Sequence, residues 1–418
     1  MPAVKPRERE AGGDLRYGWA IVAALSVTVT VSYGVLTYAF GVLLPSMQRD
    51  LGWSKVEITG AFSLALLISA LSGLVVGRLL DRRSPRLLMS AGSVGGTLLV
   101  LAWSQVHSLV ALYAVFAPLG LVMACVLYEP VFVVVTKWFA QRRHAAITVV
   151  TLAGAFASLV FSPLTERLEA AFGWRNALVA LAIVFGIVTL PLHALVLRPS
   201  PALALEEESR RDDHTLRQAV RTAPFWLLTG AFTLTAFAWS AVAVHLVSLL
   251  LLGGADARFA AFSLGLLGIA QLPGRLVFGL IGRRFSDQTL AAIVFGVGTA
   301  SLVLLAVEQE RWAVIVFALA FGASGGTGIL LRATLVVDLY GRTNYGAISA
   351  VMAGASNMAR AAAPVSASLV ILLPGGYDTL LWTLVAGSAG AAIAAAAAVR
   401  RVSRRAIVAE VLDAQTPA

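Results

Sequence analysis

Charge is what this sequence has least of. Of 418 residues only 13% are Asp, Glu, Lys or Arg, while 59% are hydrophobic and the mean hydropathy is +0.84. A water-soluble chain of this length would fold as two or three domains, and polar groups this sparse could not cover its apolar surface. Cysteine is nearly missing: the single Cys125 excludes an internal disulfide and reads as a small packing residue inside an apolar run. The five histidines are scattered, so there is no metal-ligand cluster, and no nucleophile stands with a base; an enzyme and a bound cofactor are not expected. Acidic residues are outnumbered 22 to 32, for a net charge of +10. A nucleic-acid partner would need that charge on the face of a folded soluble domain, and the sequence contains none.

What it has instead is apolar runs of about 20 residues, each long enough to cross a bilayer. Continuous runs, rather than ten-residue alternation, favour helices over a barrel. Twelve spans are expected, at 17–47, 55–81, 86–104, 108–138, 143–165, 174–197, 223–252, 258–282, 287–306, 312–340, 343–370 and 377–400. With the first 16 residues inside, 23 Lys and Arg fall at inner positions and 6 at outer ones. The positive-inside rule then makes both termini cytoplasmic. The first span is too long for a signal h-region, so no cleavage is expected. The location that follows is the inner membrane of a bacterium, with the lipid bilayer as partner and a monomer as the working state.

The longest charged interruption, Arg198 to Arg221, splits the spans six and six. It divides the chain into a tail (1–16), a six-helix lobe (17–197), a cytoplasmic linker with one short surface helix (198–222), a second lobe (223–402) and a tail (403–418). The halves are alike. GRLLDRRS (77–84) matches GLIGRRFS (279–286); AAITVVTLAGA (145–155) matches GAISAVMAGA (346–355); GWRNAL (173–178) parallels GYDTLL (376–381). A parallel six-span repeat implies a two-lobed transporter with its site where the lobes meet.

Four charges lie deep in apolar runs: Glu129, Arg275, Arg332 and Arg360. Each costs about 2.5–3.5 kcal/mol at a helix centre even on the mild insertion scale. Glu129 and Arg332 are 203 residues apart, the repeat offset. They read either as an ion pair formed between the lobes in one conformation, or with Glu129 as a proton carrier. Arg275 lies eight residues before Arg283, about 12 Å into the membrane. Arg360 stands midway along its span with Ser356 and Asn357 on the same helical face. The positive excess favours an anionic passenger and belongs to the second half. The stretch GASGGTG (322–328) mimics a nucleotide loop but lies inside an apolar helix with no preceding strand. Its small residues, like the Gly73–Gly77 pair, let helices approach closely.

On these motifs the chain resembles the major facilitator superfamily over essentially its full length. GRLLDRRSPR (77–86) is similar to that family's signature between spans 2 and 3, with Ser84 in place of a glycine. The stretches at 33–64, LYEPVFVVVTKWF (127–139), VHLVSLL (244–250) and GRLVFG (274–279) resemble the branch of bacterial monocarboxylate and oxalate–formate carriers. The resemblance implies an all-α membrane fold of twelve helices in two pseudo-symmetric lobes. It implies that Arg275 binds the substrate carboxylate, with Gln271 where such carriers often have aspartate, and that Arg360 with Asn357 adds a second contact. It implies that Gly77, Asp81, Arg82 and Arg86 gate the cytoplasmic side through contacts between helix ends; a carboxylate there can stabilise a helix N-terminus. Tyr33, Thr37, Tyr38, Tyr128, Trp239 and His245 fall on cavity-lining helices, where each reads equally as packing. His245, whose imidazole is suited to titrate near neutral pH, is the other candidate for coupling to H+. The expected function is secondary transport of small organic anions, monocarboxylates first, by alternating access with proton symport or anion exchange. A drug exporter of the same fold and a non-transporting membrane sensor are the rivals.

Overall fold

A long apolar run in a bilayer must satisfy its own backbone, and in the computed structural model of this chain every such run is helical. The structure describes residues 12–139, 142–198, 214–281, 285 and 287–415, and no strand occurs among them. Helix α1 (Gly12–Tyr33) passes through one wide π turn (Gly34–Tyr38) into α2 (Ala39–Leu51). Then come α3 (Lys55–Arg82), α4 (Pro85–Ser104), α5 (Leu109–Val126), α6 (Tyr128–Trp138), α7 (Arg143–Ala155) and α8 (Ala157–Pro191), which ends in a second π turn (Leu192–Val196). The later helices are α9 (Leu216–Ala219), α10 (Ala223–Leu252), α11 (Ala257–Ile269), α12 (Gln271–Ile281), α13 (Asp287–Val307), α14 (Arg311–Tyr340), α15 (Tyr345–Ile371) and α16 (Tyr377–Gln415).

Helix ends follow local chemistry. Ser108 accepts from the Ala111 N–H to cap α5, and Asp256 from the Phe259 N–H to cap α11. Thr215 and Gln218 form a capping box around α9, the short helix of the 198–222 segment; the rest of that segment from 199 to 213 lies outside the described residues, as do 1–11 and 416–418. Gly52 (φ 71°) ends α2 and Gly173 (φ 75°) interrupts α8, where the sequence places the boundary between spans 143–165 and 174–197. Among the described residues ten helical segments are long and apolar enough to cross a membrane. α15, with 27 residues, is not among them; it carries Ser349, Ser356, Asn357 and Arg360.

Besides the short interruptions at Phe156 and Ala270, three features depart from the expected spans. The π turn at 34–38 widens the first, Leu127 (φ −86°, ψ −160°) breaks the fourth into α5 and α6, and α16 runs to Gln415 rather than 400. Pro130 explains the second. It lacks an N–H and its ring clashes with the carbonyl four residues back, so the helix stops at Val126 and restarts at Tyr128.

The chain divides into two units. The first holds residues 1–58 and 82–211, the second 59–81 and 212–418. The first has a core of Phe40, Trp103 and Phe116, with ring centroids 5.0–6.0 Å apart in edge-on and tilted contacts. At one end Trp174 Nε1 and Arg175 both donate to Asp50 Oδ2 (3.1 and 3.2 Å), and Arg175 also donates to the Ser104 and Val106 carbonyls. The second has a buried cluster of Leu246, Leu250, Leu302, Phe317 and Phe321.

Candidate functional site

In the first unit the candidate residues gather around the two irregular points of the backbone. Tyr33 precedes the π turn, Thr37 and Tyr38 lie in it, and π turns recur at functional sites because they redirect side chains. Gly34 lies flat against Phe161; a Cβ there would overlap the ring. The rings of Tyr33 and Tyr128 are 4.8 Å apart, and Tyr128 stacks on Phe132 at 5.4 Å. Tyr128 donates its hydroxyl to the Thr151 carbonyl at 3.3 Å, an approach that Gly154 permits by lacking a Cβ. Thr37 Oγ1 is buried with no hydrogen-bond partner among the described residues. Tyr38 is exposed.

The break at Leu127 places Glu129 in the first turn of α6, where no side chain caps the helix. A carboxylate there faces the positive end of the helix, worth about 0.3–1 kcal/mol at a surface and more when partly buried. Thus Tyr33 and Tyr128 meet beside the two irregular points of the backbone, with Glu129 next in sequence. Arg82 and Arg86 are also in this unit and are exposed.

In the second unit Arg275 is only 6% exposed and donates to Gln271 Oε1, one helical turn earlier, at 3.4 Å. Both sit on α12, which lies backbone-to-backbone on α14. Cβ atoms on Gly274, Gly322 or Gly326 would overlap the Ala323, Leu267 or Gln271 backbone, respectively, and Thr327 Oγ1 donates to the Gly274 carbonyl at 3.0 Å. GASGGTG is therefore a packing surface that holds the arginine helix. On the same α14 stretch Gly325 receives the Trp239 indole; a Cβ would overlap its Nε1, which has no hydrogen-bond partner among the described residues.

Arg332 is buried on α14 and donates to the Ser349 carbonyl of α15 at 3.4 Å. Glu129 and Arg332 fall in different units. Arg360 and Asn357 are exposed on α15, beside buried Ser356. His245 Nε2 lies 3.2 Å from the Pro364 carbonyl, and its ring stands edge-on to Tyr377. This is a structural role in the present arrangement.

Of the signature residues, Asp81 holds a helix end. Its two carboxylate oxygens accept from the Gly346 and Ala347 N–H groups at 2.9 Å each, closing the N-terminus of α15. Gly77 makes this possible: a Cβ on it would overlap the Gly346 carbonyl, and Gly73 and Ala70 face Ala350 and Gly354 in the same small-residue seam. The second-half counterpart, Arg283, lies outside the described residues. Sequence reasoning missed Ser240, which donates to the Arg360 carbonyl at 2.8 Å. Pro364, four residues on from Arg360, is the signal that points to it.

Comparison with known proteins bears on this geometry. The chain is 24% identical over 336 residues to monocarboxylate transporter 13 of Rattus norvegicus, covering 78% of this chain and 76% of the relative. It is 24% identical to the agnestins efflux protein AgnL12 of Paecilomyces divaricatus (86% and 81% covered) and 23% identical to the oxalate:formate antiporter of Oxalobacter formigenes (84% and 85%). The crystal structure of the transporter FucP in its outward conformation superposes with a TM-score of 0.72 at 16% identity, over 90% of this chain and 98% of that one. At that identity the likeness is one of fold. The family model of the Major Facilitator Superfamily matches residues 26–364, four-fifths of the chain and both halves of the repeat, and this integral membrane protein belongs to that superfamily.

Proposed function

We propose that this transporter carries small organic anions, monocarboxylates first, by alternating access. The observation that carries the reading is Arg275: a guanidinium 6% exposed, held by Gln271 on a helix locked to α14 through glycine contacts. A buried cation is retained at such cost where it meets a charged partner or a passenger, and relatives named for monocarboxylate and for oxalate and formate make a carboxylate the fitting one. Arg360, exposed in the middle of a spanning helix, must face water rather than lipid, and supplies a second contact. Tyr33, Thr37, Tyr38, Tyr128, Trp239 and Asn357 shape the remaining surface. Glu129 is the proton carrier in symport, with His245 the less favoured choice because its Nε2 already serves Pro364.

The finer architecture belongs to the same reading. Counting the 143–196 segment as two passes at Gly173 and adding α15 gives twelve spans, with six-helix lobes either side of the 198–222 linker and both termini cytoplasmic. Gly77, Asp81, Arg82 and Arg86 act as the gate on that side of a bacterial inner membrane, in a monomer.

The test is uptake of labelled lactate, formate or oxalate into proteoliposomes. Removing one partner of a buried charge pair costs about 2–5 kcal/mol, so Arg275→Ala is expected to lower uptake about 30-fold or more. Arg275→Lys restores only part of it, because an ammonium lacks the bidentate fork. Uptake equal to wild type in Arg275→Ala would sink the assigned role. The second reading, an exporter of amphipathic compounds, is favoured by the efflux relative; it predicts drug extrusion that tolerates Arg275→Ala.

A further inference from the structure

α15 contains Pro364 in its interior. Proline has no N–H, so the carbonyl four residues earlier loses its helical partner. That carbonyl belongs to Arg360. It is not left open: Ser240 of α10 donates its hydroxyl to it at 2.8 Å. One turn on, the Pro364 carbonyl takes the Ser368 hydroxyl at 2.8 Å and His245 Nε2 at 3.2 Å, which requires the proton on Nε2. Two side chains of α10 therefore hold two carbonyls one turn apart beside the proline of α15, and the first belongs to the arginine whose side chain is exposed.

The geometry points to Ser240 as a positioning residue for Arg360, deepening the proposed reading of Arg360 as an anion contact. A hydroxyl fixed to the carbonyl of residue 360 sets the peptide plane beside its Cα, and with it the direction in which the guanidinium leaves the helix. Without it the carbonyl turns toward water and the cation drifts from the site. Misplacements on the order of 1 Å are enough to matter for a binding group. Pro364 creates the vacancy and Ser240 fills it, so the two form one device.

The device has a specific genetic signature. Ser240→Ala raises KM for the transported carboxylate about three- to ten-fold, the factor that a hydrogen bond of ordinary net strength carries, while Vmax stays near wild type. Ser240→Thr keeps the hydroxyl and keeps KM. Pro364→Ala restores an N–H for the Arg360 carbonyl, so adding Ser240→Ala to Pro364→Ala changes KM little. The same four proteins are compared in thermal unfolding, where Ser240→Ala lowers the melting temperature more with Pro364 present than without it. The proposal is overturned if Ser240→Ala leaves KM unchanged while Arg360→Ala raises it. It is also overturned if the Ser240→Ala effect is as large in the Pro364→Ala background as in wild type. If Arg360→Ala itself leaves uptake unchanged, the anion-contact reading fails and takes the positioning role with it.

Discussion

The fourth apolar run of the first half and its counterpart in the second start as equivalents and end as opposites. Residues 109–138 are cut at Leu127 into α5 and α6, whereas Arg311–Tyr340 is one helix of 30 residues. The repeat offset sets Glu129 against Arg332 and Pro130 against Ala333. Proline stops the first helix at Val126, four residues before it, and alanine lets the second run through. The charges follow the backbone. Glu129 lies in the first turn of a new helix, where N–H groups favour an anion. Arg332 lies mid-helix, buried, and reaches the carbonyl of Ser349 on α15. One substitution of backbone chemistry thus separates a carboxylate placed at a helix end from a cation that ties two helices together.

The largest expected effect breaks that comparison at its charges. Glu129→Gln keeps the shape of the side chain and removes its titration. Accumulation driven by an imposed pH gradient is expected to fall to the level of simple exchange, with the melting temperature little changed. Arg332→Gln should do the reverse. Losing a buried charge-assisted bond costs about 1–3 kcal/mol of stability, read as a lower melting temperature, while the response to pH per folded molecule is retained. Gradient-driven accumulation that survives Glu129→Gln would remove the proton role from the first half. An equal loss of stability in both variants would show that the two positions do the same job after all.

How far the sequence discloses this depends on the range of the interaction. The apolar runs, the break at Gly173 and the close packing at GASGGTG are local patterns, and the structure forms each of them within a few residues of where the pattern lies. Asp81 at a helix N-terminus was legible as chemistry, though its partners Gly346 and Ala347 are 265 and 266 residues away and only the fold names them. The break at Leu127 was present in the sequence as Pro130 but was not read, because the apolar run continues through it. The π turn at 34–38 has no marker among its own residues; it is accommodated by Phe161 packed on Gly34. Ser240 on the Arg360 carbonyl is likewise a contact between helices 120 residues apart, invisible to any periodicity.

A smaller effect is expected at Gly77, where the two copies of the signature diverge: the first has Asp81 and the second Arg283. Gly77→Ala would place a methyl on the Gly346 carbonyl, forcing α3 off α15 and lengthening both bonds to Asp81. Overpacking of this kind costs about 1–3 kcal/mol. If the clamp holds α15 closed, the variant should also expose a cysteine introduced at Ala347 to thiol reagents in a Cys125→Ala background. Unchanged labelling and unchanged melting temperature would show that the seam has slack.

The smallest effect lies at the exposed ends, where each unit has an arginine–aspartate pair. Arg175 meets Asp50 at 3.2 Å and Arg311 meets Asp256 at 2.7 Å. The first is shared with Trp174 Nε1, and Arg175 also serves two carbonyls. The second stands on a loop, with Asp256 also capping α11. The Phe259 N–H, and after it the Arg311 guanidinium, holds the Asp256 carboxyl below its ordinary value. A carboxyl lowered on folding adds stability above its unfolded pKa and loses it as pH falls through the folded one. Asp256→Asn should therefore melt slightly below wild type at pH 5–7, with the gap closing below about pH 4. Both side chains are exposed, so raising salt should shrink the ion-pair part and leave the capping part. A gap that vanishes entirely in high salt would assign the effect to Arg311 alone; one that ignores salt would assign it to the cap.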